Sequence, residues 1–139
     1  MMKKYSALTK YINLLKNDNA GEWICDKEND GSSERPIHVP FVSYSIAVNN
    51  LADDIYKFAK ESNEIVPSKY AEILQANGIE WNYDSMIKAD VSVLDAQCIL
   101  ALLIASFMAE RFCDGALLEF IKNGAVIRWL KRLQELDEA

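Results

Sequence analysis

The chain has 139 residues, half of them apolar and 26% charged, which is the composition of a domain that builds its own core without disulfide or metal staples. Its formal net charge of −6 sets its field against nucleic acid and anionic lipid. The basic residues Lys122, Arg128, Lys131 and Arg132 sit near the C-terminus, diluted by Glu119, Glu135, Asp137 and Glu138, and read as a solvated helix face.

The predicted elements begin with an amphipathic helix. Tyr5, Leu8, Tyr11, Ile12 and Leu15 recur at spacings of three and four. Asn17 to Gly21 stops it. No continuous apolar run follows Lys3 and Lys4, so no secretory signal is expected. Glu22 to Cys25 is a strand candidate, and Pro36-Ile37-His38-Val39-Pro40 a second extended piece beyond the polar segment Asp26 to Arg35. Together they predict a small hairpin whose prolines suit an edge.

Ser43 or Ser45 is placed to cap the next helix, with Ile46, Val48, Leu51, Ile55 and Phe58 as its buried stripe. Pro67-Ser68 opens a short helix that Asn77-Gly78 ends. Trp81 to Lys88 is ambiguous. Ser92 and Asp95 resemble a capping box ahead of the apolar run Ala96 to Ala109. As a helix that run spans only about 21 Å, against the ~30 Å of a bilayer core. It is therefore expected to be a buried spine, from about Val93 to Asp114, and not a membrane span. Gly115 stops it, Ala116 to Lys122 forms a short helix, and Val126, Ile127, Leu130, Leu133 and Leu136 mark the last one. The expected fold is α+β and predominantly α, with about five helices around the long buried one and a small N-terminal hairpin. Residues 1–139 form one domain in this reading.

The blocks Gly21-Glu22-Trp23, Pro40 to Tyr44, Glu110-Arg111-Phe112-Cys113-Asp114-Gly115 and Leu130-Lys131-Arg132-Leu133, with Gly124 and Ile127, resemble a family of small bacterial proteins of unknown function. The resemblance covers most of the chain. It implies a single bacterial cytoplasmic domain and assigns no activity, ligand or catalytic residue.

Candidate sites are few. Ser106, Glu110 and Asp114, four apart, would form one polar stripe at the end of the spine, and Arg111 would pair with Asp114 at i,i+3. Two carboxylates on adjacent turns have the donor chemistry of an acid–base pair or a cation site, but a helix end emerging into solvent looks the same. Cys113 beside Arg111 is a nucleophile only if a base comes near. Core packing is the expectation for it. His38, the only histidine, faces solvent if Ile37 and Val39 face the core.

Asp26-Lys27-Glu28-Asn29-Asp30-Gly31 begins like a calcium loop, but its twelfth position is Ile37, where a bidentate Glu belongs. Cys98 and Cys113 on one helix stand about 22 Å apart, too far to bond. The odd count of three cysteines suits reduced thiols in a cytoplasm. Trp23, Trp81, Tyr83 and Trp129 are expected to fill the core, and any that are exposed would mark a binding face. With no phosphate loop, nucleophile elbow or metal-spaced cluster, neither cofactor nor metal is expected.

This pattern points to a non-catalytic binding or regulatory module acting through a protein partner or a homodimer. The alternative is a small enzyme or ligand-binding protein with its site around Glu110, Arg111 and Asp114, with His38 as a further candidate.

Overall fold

A computed structural model describes residues 4–17, 19–24 and 41–138. Cys25, the acidic segment from Asp26, and Pro36 to Pro40 with His38 lie outside them. Ser6–Thr9 (α1) and Tyr11–Lys16 (α2) bury Leu8, Tyr11, Ile12 and Leu15, the predicted amphipathic face. They are two short helices with Lys10 between them, where a single helix is predicted. Tyr5 ties them to distant segments: its backbone N–H donates to the Asp137 carboxylate at 3.0 Å, and its hydroxyl to Glu64 at 3.0 Å.

Gly21–Ile24 (β1) pairs antiparallel with Phe41–Tyr44 (β2), in a register that sets Gly21 opposite Tyr44 and Trp23 opposite Val42. The hairpin is present, and its described second strand follows Pro40. Side-chain space is tight at Gly21, where a Cβ would stand 2.9 Å from the Ser43 carbonyl.

Ser45 caps Ile46–Ser62 (α3), its hydroxyl accepting from the Val48 N–H at 3.3 Å. Val48, Leu51, Ile55 and Ala59 form the buried stripe. Ile46 is 79% exposed, contrary to expectation, because two residues before Val48 puts it near the opposite face of the helix. A 3-10 turn at Pro67–Lys69 leads into Tyr70–Ala76 (α4). Gly78, at φ +75°, turns the chain out, and the Ile79 N–H reaches the Leu74 carbonyl at 2.9 Å. The ambiguous segment is Tyr83–Lys88 (α5), capped by the Asn82 side chain, which accepts from the Ser85 N–H at 2.8 Å.

The spine is Ala96–Phe112 (α6), shorter at both ends than predicted. Its cap is Asp95, accepting from the Cys98 N–H at 2.9 Å. Ser92 is not part of it; Ser92 sits in a 3-10 turn held by Asp90. Every residue from Cys98 to Phe107 is buried, because α6 packs against α3 and α4 and against the last two helices, Ala116–Lys122 (α7) and Ala125–Glu138 (α8). Each fully buried Leu along it contributes about 1.5–3 kcal/mol relative to exposure. Ser106 is buried on α6 with its hydroxyl donating to the Leu103 carbonyl at 2.7 Å, which satisfies it without a water or ligand. Trp129 of α8 is fully buried, its ring 5.7 Å from that of Phe120. Among the described residues no helix is long and apolar enough to cross a membrane.

Candidate functional site

The chain reverses between α6 and α7 within three residues, Cys113 to Gly115. Gly115 is the N-cap of α7, at φ +90°, so the cap position carries no side chain. The first N–H groups of a helix need acceptors from elsewhere in that case. Two distant side chains supply them. The Glu110 carboxylate accepts from the Gly115 N–H at 3.1 Å and from the Leu117 N–H at 3.0 Å. Tyr44 of β2 accepts from the Leu118 N–H at 3.0 Å and donates its own proton to Glu110 at 2.6 Å. Burial pushes the Tyr44 hydroxyl pKa far up, and the bond to Glu110 and that group's charge push it further. Trp23 of β1 lies against Gly115, so closely that a Cβ there would strike the indole ring. The hairpin thus closes over the corner, and both the conformation and the contact require glycine at 115.

On the other side of this corner lies a groove of about 480 Å³. Trp81, Tyr83 and Met86 line it from α5 and the residues before it. The end of α6 adds Phe112 and Cys113, and α7 adds Glu119 and Phe120. The walls are aromatic and nearly perpendicular in places. Trp81 and Phe112 stand 5.8 Å apart at 80°, and Tyr83 is 5.0 Å from Phe120. The Trp81 indole N–H donates to the Ala105 carbonyl at 3.3 Å, and Tyr70 meets its edge at 5.2 Å, which fixes the ring. Phe112 is 75% exposed, Trp81 40% and Tyr83 36%.

The profile of a family of unknown function (DUF6508) matches residues 1–139. The chain belongs to this family. No curated protein and no solved structure matches it. In this DUF6508 chain, blocks that stand far apart in sequence meet at one place. Trp23 covers Gly115, and Tyr44 reaches the residue just before the Arg-Phe-Cys-Asp-Gly run.

Among the described residues, Glu110, Arg111 and Asp114 have different surroundings. Glu110 is committed to Tyr44 and the α7 amides. Arg111 is exposed at the end of α6, and its guanidinium restrains the upward shift that burial gives the hydroxyls of Tyr56 and Tyr70. Asp114 is exposed in the turn. Among the described residues Arg111 and Asp114 form no ion pair. The i,i+3 geometry needed a continuing helix, but Cys113 is extended, at φ −149° and ψ 108°. That break also turns the Cys113 thiol outward, so the expected core packing of Cys113 is corrected to an exposed position on the groove. His38 lies outside the described residues. Cys98 is buried, and burial pushes its thiol pKa up to about 11. Among the described residues no three His, Cys, Asp or Glu side chains gather as a metal requires. The residues that build the groove, above all Phe112, carried only the general signal of aromatic content.

Proposed function

We propose that the chain is a non-catalytic binding module whose working surface is the aromatic groove between α5, α6 and α7, and that it acts by seating a protein there. The observation that supports this reading most is Phe112. A phenylalanine left 75% exposed stands at the groove beside two further partly exposed aromatic rings, Trp81 and Tyr83. Aromatic anchors around a concave surface are the residues that carry most binding energy at interfaces. The alternative, an enzyme or ligand site around Glu110, Arg111 and Asp114, has less support, because the Glu110 oxygens are occupied by backbone amides and the Tyr44 hydroxyl. We place the chain in the cytoplasm on its odd cysteine count and on the free thiols of Cys98 and Cys113.

Photo-crosslinking in cells that make the protein tests the reading. A photoreactive residue is placed at Tyr83, in the groove, and separately at Ile46, an exposed apolar position outside it. The expected result is a discrete protein adduct from position 83 that position 46 does not give. Identical patterns from the two positions, or no adduct from position 83, would contradict it.

A further inference from the structure

The surroundings of the groove say more about its occupant than its floor does. Glu119 lines the wall itself. Glu80 and Asp84 flank Trp81 and Tyr83, and Asp114 follows Cys113. All four acids are exposed, and among the described residues none is in an ion pair. The C-terminal end of α6 and the N-terminal ends of the shorter helices α5 and α7 meet at the same place, so their opposite dipole ends offset one another and the side chains set the sign. Two cations stand at the margins. Lys88 shares the adjoining recess with Glu80 and Asp84, and the Arg111 charge acts on the hydroxyls of Tyr56 and Tyr70. The balance around the apolar floor is acidic, like that of the chain as a whole.

We propose that the groove takes a basic amphipathic segment of a different protein, with its apolar side chains against Phe112 over the buried floor of Phe120 and Met86, and its Lys or Arg heads against Glu119 and the faces of Trp81 and Tyr83. This rests on the reading of the groove as a docking surface. The charge decides between occupants. Two copies meeting groove to groove would bring the acidic rims together, and like charges across an interface are costly. An anionic membrane is repelled for the same reason. A cation beside an indole or phenol face gains an attraction that an acidic or neutral segment lacks.

The test uses the full chain and two labelled amphipathic peptides of identical helical pattern, one of Leu and Lys and one of Leu and Glu, with binding read by fluorescence anisotropy. The Leu/Lys peptide is expected to bind at least about tenfold tighter, and its binding to be lost in Phe112→Ser. Glu119→Lys should weaken it about fivefold, as expected of one charge reversed at an exposed interface. Glu61→Lys should leave it unchanged, since Glu61 lies near the opposite end of α6, where the Gln97 side chain bonds the Glu64 carbonyl. Equal binding of both peptides, lost in Phe112→Ser, overturns the basic preference and leaves the docking surface standing. Equal weakening by Glu61→Lys and Glu119→Lys means adsorption on net charge and also overturns the proposal. If neither peptide binds, or Phe112→Ser changes nothing, the docking reading falls with it.

Discussion

Tyr44 and Glu110, 66 positions apart, share a 2.6 Å hydrogen bond and together accept the N–H groups of Gly115, Leu117 and Leu118. A helix cap normally comes from the residue just before the helix. Here the cap position is a glycine under an indole ring, and the previous helix and the hairpin provide the acceptors. Removing the Tyr44 hydroxyl unties α7 from the hairpin, and removing the Glu110 carboxylate unties it from α6. Tyr44→Phe takes away one donor and one acceptor and is expected to cost about 1–3 kcal/mol in urea unfolding. Glu110→Ala, which frees more donors, should cost more than Tyr44→Phe, and Glu110→Gln less than Glu110→Ala. A loss under about 0.5 kcal/mol for Tyr44→Phe would contradict the cap.

Gly115 and Gly124 have nearly the same backbone, at φ +90° and +88°, but different surroundings. A Cβ at 115 runs into Trp23, whereas at 124 its nearest contact is the Arg128 guanidinium at 4.0 Å. Both alanine variants meet the left-handed penalty of about 1–2 kcal/mol. Gly115→Ala should therefore destabilise the protein more than Gly124→Ala, and Trp23→Ala should shrink the difference. Equal losses from the two single variants would remove the close approach from the account.

Arg111 gives the opposite expectation. It is exposed, and among the described residues it makes no ion pair. Arg111→Ala should change stability by less than about 0.5 kcal/mol, as exposed substitutions away from special features do. A loss above about 1 kcal/mol in thermal or urea unfolding would restore the structural role that its position in sequence suggests.

The tyrosines set an alkaline limit. Burial raises the Tyr11 hydroxyl from 10.0 to about 12, helped by its 2.5 Å bond to Asp54. Burial also raises Tyr5, Tyr44, Tyr56 and Tyr70. The native state then holds protons that the unfolded chain releases, so these groups contribute fully below pH 10 and the contribution is lost as pH rises through the native values. The urea midpoint should hold to about pH 10 and fall between 10 and 12. A midpoint unchanged at pH 12 would contradict the buried, bonded hydroxyls.

Much of the fold is legible from periodicity. The run Ala96 to Ala109 announces a buried helix because nearly every residue in it is apolar, and the stripe Val48, Leu51, Ile55 is visible at three- and four-residue spacing. Gly115 and Gly124 mark real helix boundaries. Asn82, with Asp84 in the first turn, carried a capping signal for α5 that a short and weakly apolar segment obscured. The site was less legible for a physical reason. Glu110 and Arg111 both read as helix-end charges, and only the tertiary approach of β2 distinguishes them, by bringing Tyr44 to one and not the other. Cys113 and Asp114 were placed on a helix that ends at Phe112. The exposure of Phe112 and Trp81 depends on which neighbours fail to cover them, and no local pattern encodes that.

If the Tyr44–Glu110 corner holds the fold and the groove holds a partner, Phe112→Ser separates the two roles most directly. The measurement is the yield of protein adduct from a photoreactive residue at position 83, in Phe112→Ser against the parent, with Tm recorded for both. Phe112 is 75% exposed and touches Trp81 edge-on, so the Tm should fall by no more than about 4 °C while the adduct drops about tenfold. An adduct retained at the parent yield in the folded variant would contradict the claim.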